Sequence, residues 1–376
     1  MHIVQIIEKI KNEFGGMSIV AHNLQQEFAK KKNIKSFILS EDHILQDSDS
    51  SHFLLCRPII STLVKFSVGI KLSYLNNTCK IKNKTIIHIH GLWGITNILS
   101  FFIAKLRGFK ICFHIHGMLH PNALAVSKKK KIIAWFLYQK WALKNCNGII
   151  VSSVDESKFV CNLGLTQNIA IIPNGIMIPQ SNNIKKDKSN TIIFVGRLHP
   201  IKGLELLLEC WGKIKKKLWK LLIVGPDENN YRMKLEKICK KLDIEDSVIF
   251  KGNLKSSEIS ILYNSSDLLI LPSFSENFGL VIGEALAHRL PVITTKATPW
   301  KEIVAENAGW YVEPNIEGIT NALNEAMSTS KKQLKEKGKN GQNLIKRKYL
   351  NKNVTNMYLS YYMWLLEKDN KPDFVL

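Results

Sequence analysis

Short apolar runs alternate with amphipathic segments along most of the chain. This alternation is typical of parallel β-strands joined by crossover helices. The N-terminal residues predict a first strand, and buried strands are predicted further along at 85–90, 110–116, 148–153, 191–196, 220–225, 248–250, 267–273 and 291–295. Each half of the chain is therefore predicted to form its own doubly wound sheet, and the fold class is α/β.

The predicted domains are separated by a segment at 171–190 that has neither helical nor strand periodicity. This segment combines Pro, Asn and Gly with a polar lysine-rich run. A chain of 376 residues also suits two domains of middling size. We therefore predict a first domain at 1–172, a linker at 173–190, a second domain at 191–350 and a C-terminal helix at 351–376 that packs back on the first domain.

The composition indicates a globular protein with acidic partners. Hydrophobic residues make up 45% of the chain, which is enough for two cores. The formal net charge is +22 and favours nucleic acid, anionic lipid or phosphorylated substrates, although part of the lysine excess matches the habit of an AT-rich genome. The basic residues are dispersed, and no nucleic-acid-binding module is recognised, so we expect no nucleic-acid partner.

Cysteine usage and hydropathy predict a cytoplasmic protein. The seven cysteines include no Cys-x-x-Cys pair, so neither a disulfide framework nor a zinc cluster is indicated. The N-terminus carries charges among its apolar residues and predicts a strand rather than a signal peptide. No apolar run reaches the roughly 18 to 20 residues of a membrane-spanning helix, so any membrane attachment is expected to be peripheral.

Candidate ligand-binding residues follow the predicted strands, where open α/β sheets bind ligands. Gly15 and Gly16 precede an amphipathic helix, and backbone amides there can approach a phosphate or a sugar, although such a pair is also a common structural turn. Arg197 and Lys202 follow the first strand of the second half and offer a planar fork and a point charge to phosphate oxygens. A solvated surface is the alternative for this pair, and their position after a buried strand and before Gly203 argues against it.

The stretch "LPSFSENFGLVIGEALAHRLPVITT" at 271–295 holds Glu276 and Glu284 around a short turn. Helical periodicity is predicted from Phe278 or Gly279 onward. The free amides near Gly279, Leu280 and Val281 would then lie at the positive end of a helix dipole, where an anion binds well. Eight residues would separate the two glutamates by roughly 12 Å if all of them were helical.

Four motifs together resemble glycosyltransferase family 4, whose members are retaining enzymes of the GT-B fold, with two Rossmann-like domains facing across a cleft. They are "GGM" at 15–17, "HGML" at 116–119, "GRLHPIKG" at 196–203 and "SENFGLVIGEALA" at 275–287. The resemblance implies a nucleotide-sugar donor, linked to UDP or GDP. It also implies that the leaving phosphate takes the acceptor's proton.

The resemblance assigns roles to individual residues. It implies that Glu276 contacts the donor-sugar hydroxyls and Glu284 the ribose, and that Arg197 and Lys202 hold the diphosphate. It further implies that His116 reaches the donor sugar. The implied donor-binding set also contains Gly15, Gly16, Asn277, Phe278, Gly279, Leu280 and Val281.

One loop departs from the family pattern. Many members have a glycine pair before the proline and glutamate of the last loop, whereas this chain has Ala297, Thr298, Pro299 and Trp300. The motif therefore assigns no role to this loop or to Glu302.

Histidine pairs close two predicted strands, His88 with His90 and His114 with His116. Alternation along a strand lets only one member of each pair face a ligand easily, and we interpret His90 as structural or acceptor-lining. No carboxylate or third ligand accompanies these histidines in the sequence. We expect no essential metal and no cofactor.

Two basic, apolar segments are candidates for an anionic membrane surface. The segment at 127–145 joins four lysines to Trp135, Phe136, Tyr138 and Trp141, and the segment at 57–77 is the second candidate. The alternative is that each segment buries its apolar face in the core.

The sequence thus predicts a retaining glycosyltransferase on the inner face of the cytoplasmic membrane. The local motifs resemble family members that build capsule, exopolysaccharide and lipopolysaccharide chains, which implies a lipid-linked oligosaccharide acceptor. A noncatalytic assembly subunit and a nucleotide-sugar epimerase of the same fold are the alternatives.

Overall fold

The computed structural model describes two compact units. It covers residues 1–8, 16–40, 53–55, 82–166, 168–179, 190–214 and 218–376. The first unit joins Met1–Gly175 to Asn351–Leu376, and the second is Ile176–Leu350. Most of the predicted linker, at 180–189, and the basic segment at 57–77 lie outside the described residues.

The first unit contains a parallel sheet in the order β3-β2-β1-β4-β5-β6-β7. Its strands are β1 His2–Ile7, β2 Lys35–Ser40, β3 Phe53–Leu55, β4 Thr85–His90, β5 Lys110–His114, β6 Gly148–Val151 and β7 Ile169–Ile171. Its helices are α1 Gly16–Ala29, α2 Ile95–Leu106, α3 Pro121–Ala125, α4 Lys128–Ala134, α5 Lys140–Asn145 and α6 Val154–Asn162, with a π-helical turn at Trp135–Gln139 and a 3₁₀ turn at Lys82–Lys84.

The second unit contains a parallel sheet in the order β10-β9-β8-β11-β12-β13. Its strands are β8 Asn190–Val195, β9 Trp219–Val224, β10 Val248–Gly252, β11 Leu268–Leu271, β12 Val292–Thr295 and β13 Gly309–Val312. Its helices are α7 Leu204–Lys213, α8 Tyr231–Lys241, α9 Ser256–Ser265, α10 Leu280–Ala287, α11 Glu302–Ala305, α12 Ile316–Ser328 and α13 Lys331–Leu344, with a 3₁₀ turn at Pro200–Lys202 and a π-helical turn at Ile345–Tyr349.

The C-terminal helix, α14, spans Asn351–Leu365 and belongs to the first unit. It packs against α1. Tyr358 and Tyr362 of this helix are fully buried and reach the histidines of β4 and β5 through their hydroxyl groups. The end of the chain therefore completes the core of the first unit.

A strand lies at every apolar run singled out in the sequence. Strand β4 is buried along its whole length, which explains why these strands are continuous apolar runs rather than alternating ones. The predicted strand at 110–116 ends early, at His114, because the backbone at His116 turns into the left-handed region with φ +53°.

Each sheet reverses its strand order once, between β1 and β4 in the first unit and between β8 and β11 in the second. In doubly wound sheets, ligands bind beyond the carboxyl ends of the strands at this switch point. The loops that follow β4 and β8 and those that follow β5 and β11 are therefore the places to look for a site.

Candidate functional site

The loops after β8 and β11 contact each other directly. Phe274 donates its backbone N–H to the carbonyl oxygen of Ile201 at 2.8 Å. Gly203 has φ +72°, and a Cβ there would lie 2.2 Å from the carbonyl oxygen of Pro272. Only glycine satisfies both the left-handed backbone and the close approach. The contact sets the 3₁₀ turn that carries Lys202 against the loop that carries Glu276.

Lys202 and Glu276 form an ion pair at this switch point. The Lys202 ammonium donates to Oε1 of Glu276, and the Ser273 hydroxyl donates to the same oxygen at 2.8 Å. The side chains of Lys202 and Glu276 are only 16% and 10% exposed. Glu276 Oε2 takes no part in either bond, and the ammonium carries three protons, so each side chain keeps bonding capacity for a ligand.

Helix α10 begins directly after this pair. Gly279, with φ +75°, precedes its first residue, Leu280, and no side chain caps the helix. Glu276 donates its backbone N–H to the carbonyl oxygen of Ala297 at 3.1 Å, which fixes the loop before the helix. The backbone N–H groups of Leu280 and Val281 in the first turn are therefore uncapped donors, of the kind that bind anions at helix N-termini.

The spacing calculated for an all-helical segment does not apply to the two glutamates. Helical structure starts at Leu280, two residues after the earliest predicted start and four after Glu276. Glu276 therefore lies in the loop and Glu284 in the helix, and the rise of a helix does not measure their separation.

The indole of Trp300 holds the turn before α10. Its Nε1–H donates to the carbonyl oxygen of Phe278 at 2.5 Å, and its side chain is 1% exposed. Phe278 and Tyr349 pack against the indole, with ring centroids at 5.2 Å and 4.9 Å. The loop that departs from the family pattern thus supports the helix start. Asn277, between Glu276 and Phe278, is half-buried.

Glu284 lies in α10 and is paired with a tyrosine. The Tyr263 hydroxyl donates to Oε2 of Glu284 at 3.2 Å. Burial raises the pKa of Glu284, and the hydrogen bond from Tyr263 opposes this shift. A hydrogen-bond donor brought by a ligand would therefore meet a carboxylate that is only partly satisfied.

Arg197 and Glu302 have partners of their own. Arg197 is 48% exposed and donates from Nη1 to Glu228 at 2.6 Å. Glu302 accepts from Lys348 and from the Tyr349 hydroxyl, each at 2.7 Å. The structure thus joins Lys202 to Glu276 and places Arg197 in a separate ion pair.

In the first unit, His116 follows β5 in a turn that Glu156 holds. The two carboxylate oxygens of Glu156 accept from the backbone N–H groups of Gly117 and Ser152, at 2.5 Å and 2.6 Å. His116 is half-buried and adopts φ +53°, a backbone conformation that is uncommon for residues other than glycine. The turn therefore presents the imidazole at the carboxyl end of the strand.

Four histidines form a stack in the first unit, which we call the histidine stack: His88, His90, His114 and His116. The first two lie on the same face of β4, and His90 pairs in register with His114 of β5. Ring centroids are 4.0 Å apart for His88 and His90 and 3.5 Å apart for His114 and His116. Burial lowers the pKa of all four, and that of His90 falls to about 3. These imidazoles are neutral at pH 7.

Three members of the stack meet the distance requirement of a metal site, since one ligand atom each from His88, His90 and His114 lie within 4.8 Å of one another. Five of their six ring nitrogens are engaged, however, and within the described residues only Nε2 of His88 has no partner. Both of His90 contact Gln5 and His116, both of His114 contact Ser152 and Tyr358, and Nδ1 of His88 contacts Tyr362. A metal ion would have to displace several of these bonds, and the absence of an essential metal stays a prediction.

The glycine pair is described only in part. Gly16 is the first residue of α1, and Gly15 lies outside the described residues. The predicted phosphate or sugar contact of this loop stays a prediction.

The segment at 127–145 has two apolar faces. Trp135 and Tyr138 pack against the core of the first unit, and the Tyr138 hydroxyl donates to the carbonyl oxygen of Trp93 at 2.8 Å. Phe136 and Leu137 point outward and are each 75% exposed. The core alternative therefore holds for Trp135 and Tyr138, and the membrane contact of the outward side chains stays a prediction.

Several site residues had no signal in the sequence that singled them out. Ser273 bonds Glu276 three positions further along the chain, whereas Tyr263, Gln5 and Gln25 bond side chains at least 20 positions away. Only Trp300 stood out, as part of a loop that departs from the family pattern.

The comparisons with known proteins agree with this architecture. The family model described as Glycosyltransferase Family 4 matches residues 14–178, and that described as Glycosyl transferases group 1 matches residues 178–344. The structure of Anabaena Alr3699/HepE in complex with UDP and glucose matches with a TM-score of 0.74 at 17% identity, over 97% of this chain and 100% of that one.

Two relatives match parts of the sequence. A Haemophilus influenzae protein, described as an uncharacterized glycosyltransferase, is 34% identical over 187 residues, or 48% of this chain and 52% of that protein. The O-antigen chain mannosyltransferase RfbU of Salmonella typhimurium is 29% identical over 223 residues, or 57% of this chain and 59% of that protein. The chain thus spans about half the length of the first relative.

Among the described helices, none combines the length and the apolar composition needed to cross a membrane.

The two family matches follow one another from residue 14 to residue 344, and the structure has the matching pair of parallel sheets. The chain belongs to the family 4, group 1 glycosyltransferases and has their GT-B fold.

Proposed function

We propose that this protein transfers a sugar from a UDP- or GDP-linked donor to a lipid-linked saccharide, with retention of anomeric configuration, in the synthesis of a bacterial surface polysaccharide. The observation that carries the proposal is the Lys202–Glu276 pair beside the uncapped start of α10, at the switch point of the second sheet. A cation and free amides at one point suit a diphosphate, and a carboxylate beside them suits sugar hydroxyls.

In the proposed reaction, the bond between the anomeric carbon and the diphosphate oxygen breaks while the acceptor oxygen bonds to the same carbon. Negative charge develops on the leaving diphosphate, where Lys202 and the amides of Leu280 and Val281 stabilise it. The acceptor hydroxyl loses its proton to the leaving phosphate. Retention follows because the acceptor approaches from the face that the phosphate leaves. Arg197 adds a second cation once a ligand competes with Glu228 for its guanidinium.

The comparisons support the donor and the pathway without fixing them. The Anabaena structure holds UDP and glucose, and the Salmonella relative is a mannosyltransferase for O-antigen chains.

A screen of nucleotide sugars decides between UDP-linked and GDP-linked donors. The purified chain is tested for thermal stabilisation by UDP and GDP sugars and for slow donor hydrolysis, with Glu276→Ala and Lys202→Ala as test variants and Lys296→Ala as the matched control. Lys296 also forms an ion pair, with Glu313, but is 52% exposed.

One donor that stabilises the wild type and Lys296→Ala, but neither test variant, is the expected result. A protein that responds to no donor would favour the noncatalytic assembly subunit. Conversion of the donor to a second nucleotide sugar, without any acceptor, would favour the epimerase.

The proposed membrane partner is an anionic bilayer on the cytoplasmic side. The sequence from 91 to 154 contains nine lysine and arginine residues and no aspartate or glutamate. Within it, the outward side chains of Ile133, Phe136, Leu137 and Trp141 are 59%, 75%, 75% and 48% exposed. Lys128, Lys129 and Lys130 are exposed at the start of the same helical segment. Aromatic and aliphatic side chains next to lysines match the interface of an anionic bilayer.

Vesicle sedimentation tests this partner. The wild type is expected to sediment with vesicles that contain phosphatidylglycerol and to release at high salt, because surface charge attraction is screened. Phe136→Ser/Leu137→Ser should lose the binding, while Ile261→Ser, which changes an apolar side chain that is 51% exposed in the second unit, should keep it. Equal sedimentation of all three proteins would contradict the proposed surface.

A further inference from the structure

Four side chains of the first unit form a continuous hydrogen-bonded line from the backbone of β2 to His116. Gln25 donates from Nε2 to the carbonyl oxygen of Ser36 at 3.1 Å, and Gln5 donates from Nε2 to Oε1 of Gln25 at 3.1 Å. Nε2 of His90 lies 3.0 Å from Oε1 of Gln5, and Nδ1 of His90 lies 3.0 Å from Nε2 of His116. Gln5, Gln25 and His90 are at most 3% exposed.

The first bond of this line fixes the direction of the others. The carbonyl oxygen of Ser36 can only accept, so Gln25 must present its amide nitrogen to it and its oxygen to Gln5. Gln5 then presents its nitrogen to Gln25 and its oxygen to His90. Reversing either amide would place two acceptors or two donors face to face in a buried site, which is costly.

The direction of these bonds also fixes the proton positions on the rings of His90 and His116. His90 is neutral at pH 7, because burial lowers its pKa to about 3, and its single proton must sit on Nε2 to meet the oxygen of Gln5. Nδ1 of His90 is then an acceptor, so His116 donates to it from Nε2. Burial also lowers the pKa of His116, so its other ring nitrogen, Nδ1, carries a lone pair. Within the described part of the chain, His116 Nδ1 has no hydrogen-bond partner.

We infer that Gln5, Gln25 and His90 are positioning residues that hold His116 as its Nε2–H tautomer, so that Nδ1 accepts a hydrogen bond from a hydroxyl group of the bound sugar. This inference rests on the proposed function for its ligand. Gln5 lies in β1, Gln25 in α1 and His90 in β4. Neither glutamine belongs to a motif of the sequence analysis. The buried glutamines thus act on His116 indirectly, through the proton position on the ring of His90.

Nitrogen NMR of the full chain with ¹⁵N-labelled histidine measures the tautomer directly, in the absence of any donor. The signals of His116 are identified by their loss in His116→Asn. At pH 7 we expect Nε2 to be protonated and Nδ1 unprotonated in both His90 and His116. Protonation of His116 at Nδ1 in the wild type would overturn the inference without any further variant.

Gln5→Met removes the amide at nearly constant length. The Nε2–H of His90 then has no acceptor, so the proton is expected to move to Nδ1 of His90 and to reverse the tautomer of His116. Gln342→Met is the matched control, because Gln342 is a buried glutamine of the second unit that donates to the carbonyl oxygen of Ala287 at 2.8 Å. It should leave both tautomers unchanged. Gln25→Met replaces Gln5→Met if that variant does not fold, with the same expected reversal.

The kinetic consequence is modest and specific. Gln5→Met should lower kcat/KM roughly 2- to 10-fold, the size of one neutral hydrogen bond, and Gln342→Met should not. Unchanged tautomers in a folded Gln5→Met or Gln25→Met protein would overturn the inference. A protein that transfers sugar normally with the reversed tautomer would overturn it as well and leave the proposed function intact. Failure to bind any nucleotide sugar would instead overturn the proposed function, and the tautomer measurement does not depend on it.

Discussion

Six strands of the first unit follow the same order as the six strands of the second, but the two units present different chemistry at their switch points. In the first unit, the ends of β4 and β5 carry the neutral histidine stack, of which His88, His90 and His114 are buried and bonded to amide and hydroxyl groups. In the second unit, the loops after β8 and β11 carry the ion pair of Lys202 and Glu276 beside a helix start. The same backbone topology therefore supports a neutral polar cluster in the first unit and a charged pair in the second. The contrast teaches that strand order positions a site, whereas the residues at the strand ends decide what it binds.

The largest expected difference between the two units is the loss of stability at low pH. The pKa values of His88, His90 and His114 are lowered in the folded state, so their contribution to stability is present above their unfolded pKa of about 6.5 and is lost as the pH falls below it. Each histidine that stays neutral lowers the free energy of unfolding by about 1.4 kcal/mol per pH unit in this window. Hydrogen exchange between pH 7 and pH 5 should show the first unit losing protection before the second. Equal loss in both units would contradict the contrast.

Removing the lysine of the charged site should affect the reaction next most strongly. Lys202→Met deletes one preorganised donor to the leaving diphosphate, and we expect initial transfer rates to fall about 10²- to 10³-fold. The matched variant Lys296→Met removes an exposed ion pair with Glu313 and should keep nearly full activity. A loss of the same size in both variants would show that general charge, rather than the site, is responsible.

Trp300→Phe tests the support of the charged site. The change keeps an aromatic ring but removes the N–H that bonds the carbonyl oxygen of Phe278, leaving a buried acceptor unsatisfied. The expected cost is about 1–3 kcal/mol in the free energy of unfolding, measured by denaturant titration. Donor affinity should fall with it, because the start of α10 is less well fixed. Full stability with unchanged donor affinity would contradict this role.

Tyr263→Phe should give the smallest effect. It removes the hydroxyl that donates to Glu284, and the pKa of Glu284 should rise further because the opposing hydrogen bond is gone. Donor affinity is expected to fall roughly 2- to 10-fold, with greater weakening at low pH as Glu284 takes up a proton. Tyr231→Phe is the control, since Tyr231 also bonds a glutamate, Glu205, at 2.7 Å. Calorimetric titration with the donor distinguishes the two variants.

The sequence predicted the positions of the strands better than the side-chain contacts between residues far apart in the chain. Apolar runs are a local signal, so strands such as β4 and β8 lie where the pattern placed them. The start of α10 was predicted too early, because Gly279 adopts a left-handed conformation that hydropathy does not encode. The pairing of Lys202 with Glu276 joins residues 74 positions apart, and it depends on the close approach at Gly203.

The histidines of the first unit also show that local sequence patterns do not predict contacts between strands. Each pair was visible at the end of a predicted strand, and the sequence left them as two separate pairs. Their assembly into one stack needs the register of β4 with β5, which no single segment specifies. Gln5 and Gln25 belong to this arrangement only through side-chain bonds between β1, α1 and β4.

The central claim is that the second unit binds the diphosphate of a nucleotide sugar at Lys202 and the start of α10. Calorimetric titration of the full chain with matched nucleoside mono- and diphosphates tests it most directly. We predict that UDP or GDP binds at least tenfold more tightly than the corresponding monophosphate, and that Lys202→Met removes this advantage while Lys296→Met keeps it. Equal binding of mono- and diphosphates, or an unchanged preference in Lys202→Met, would contradict the account.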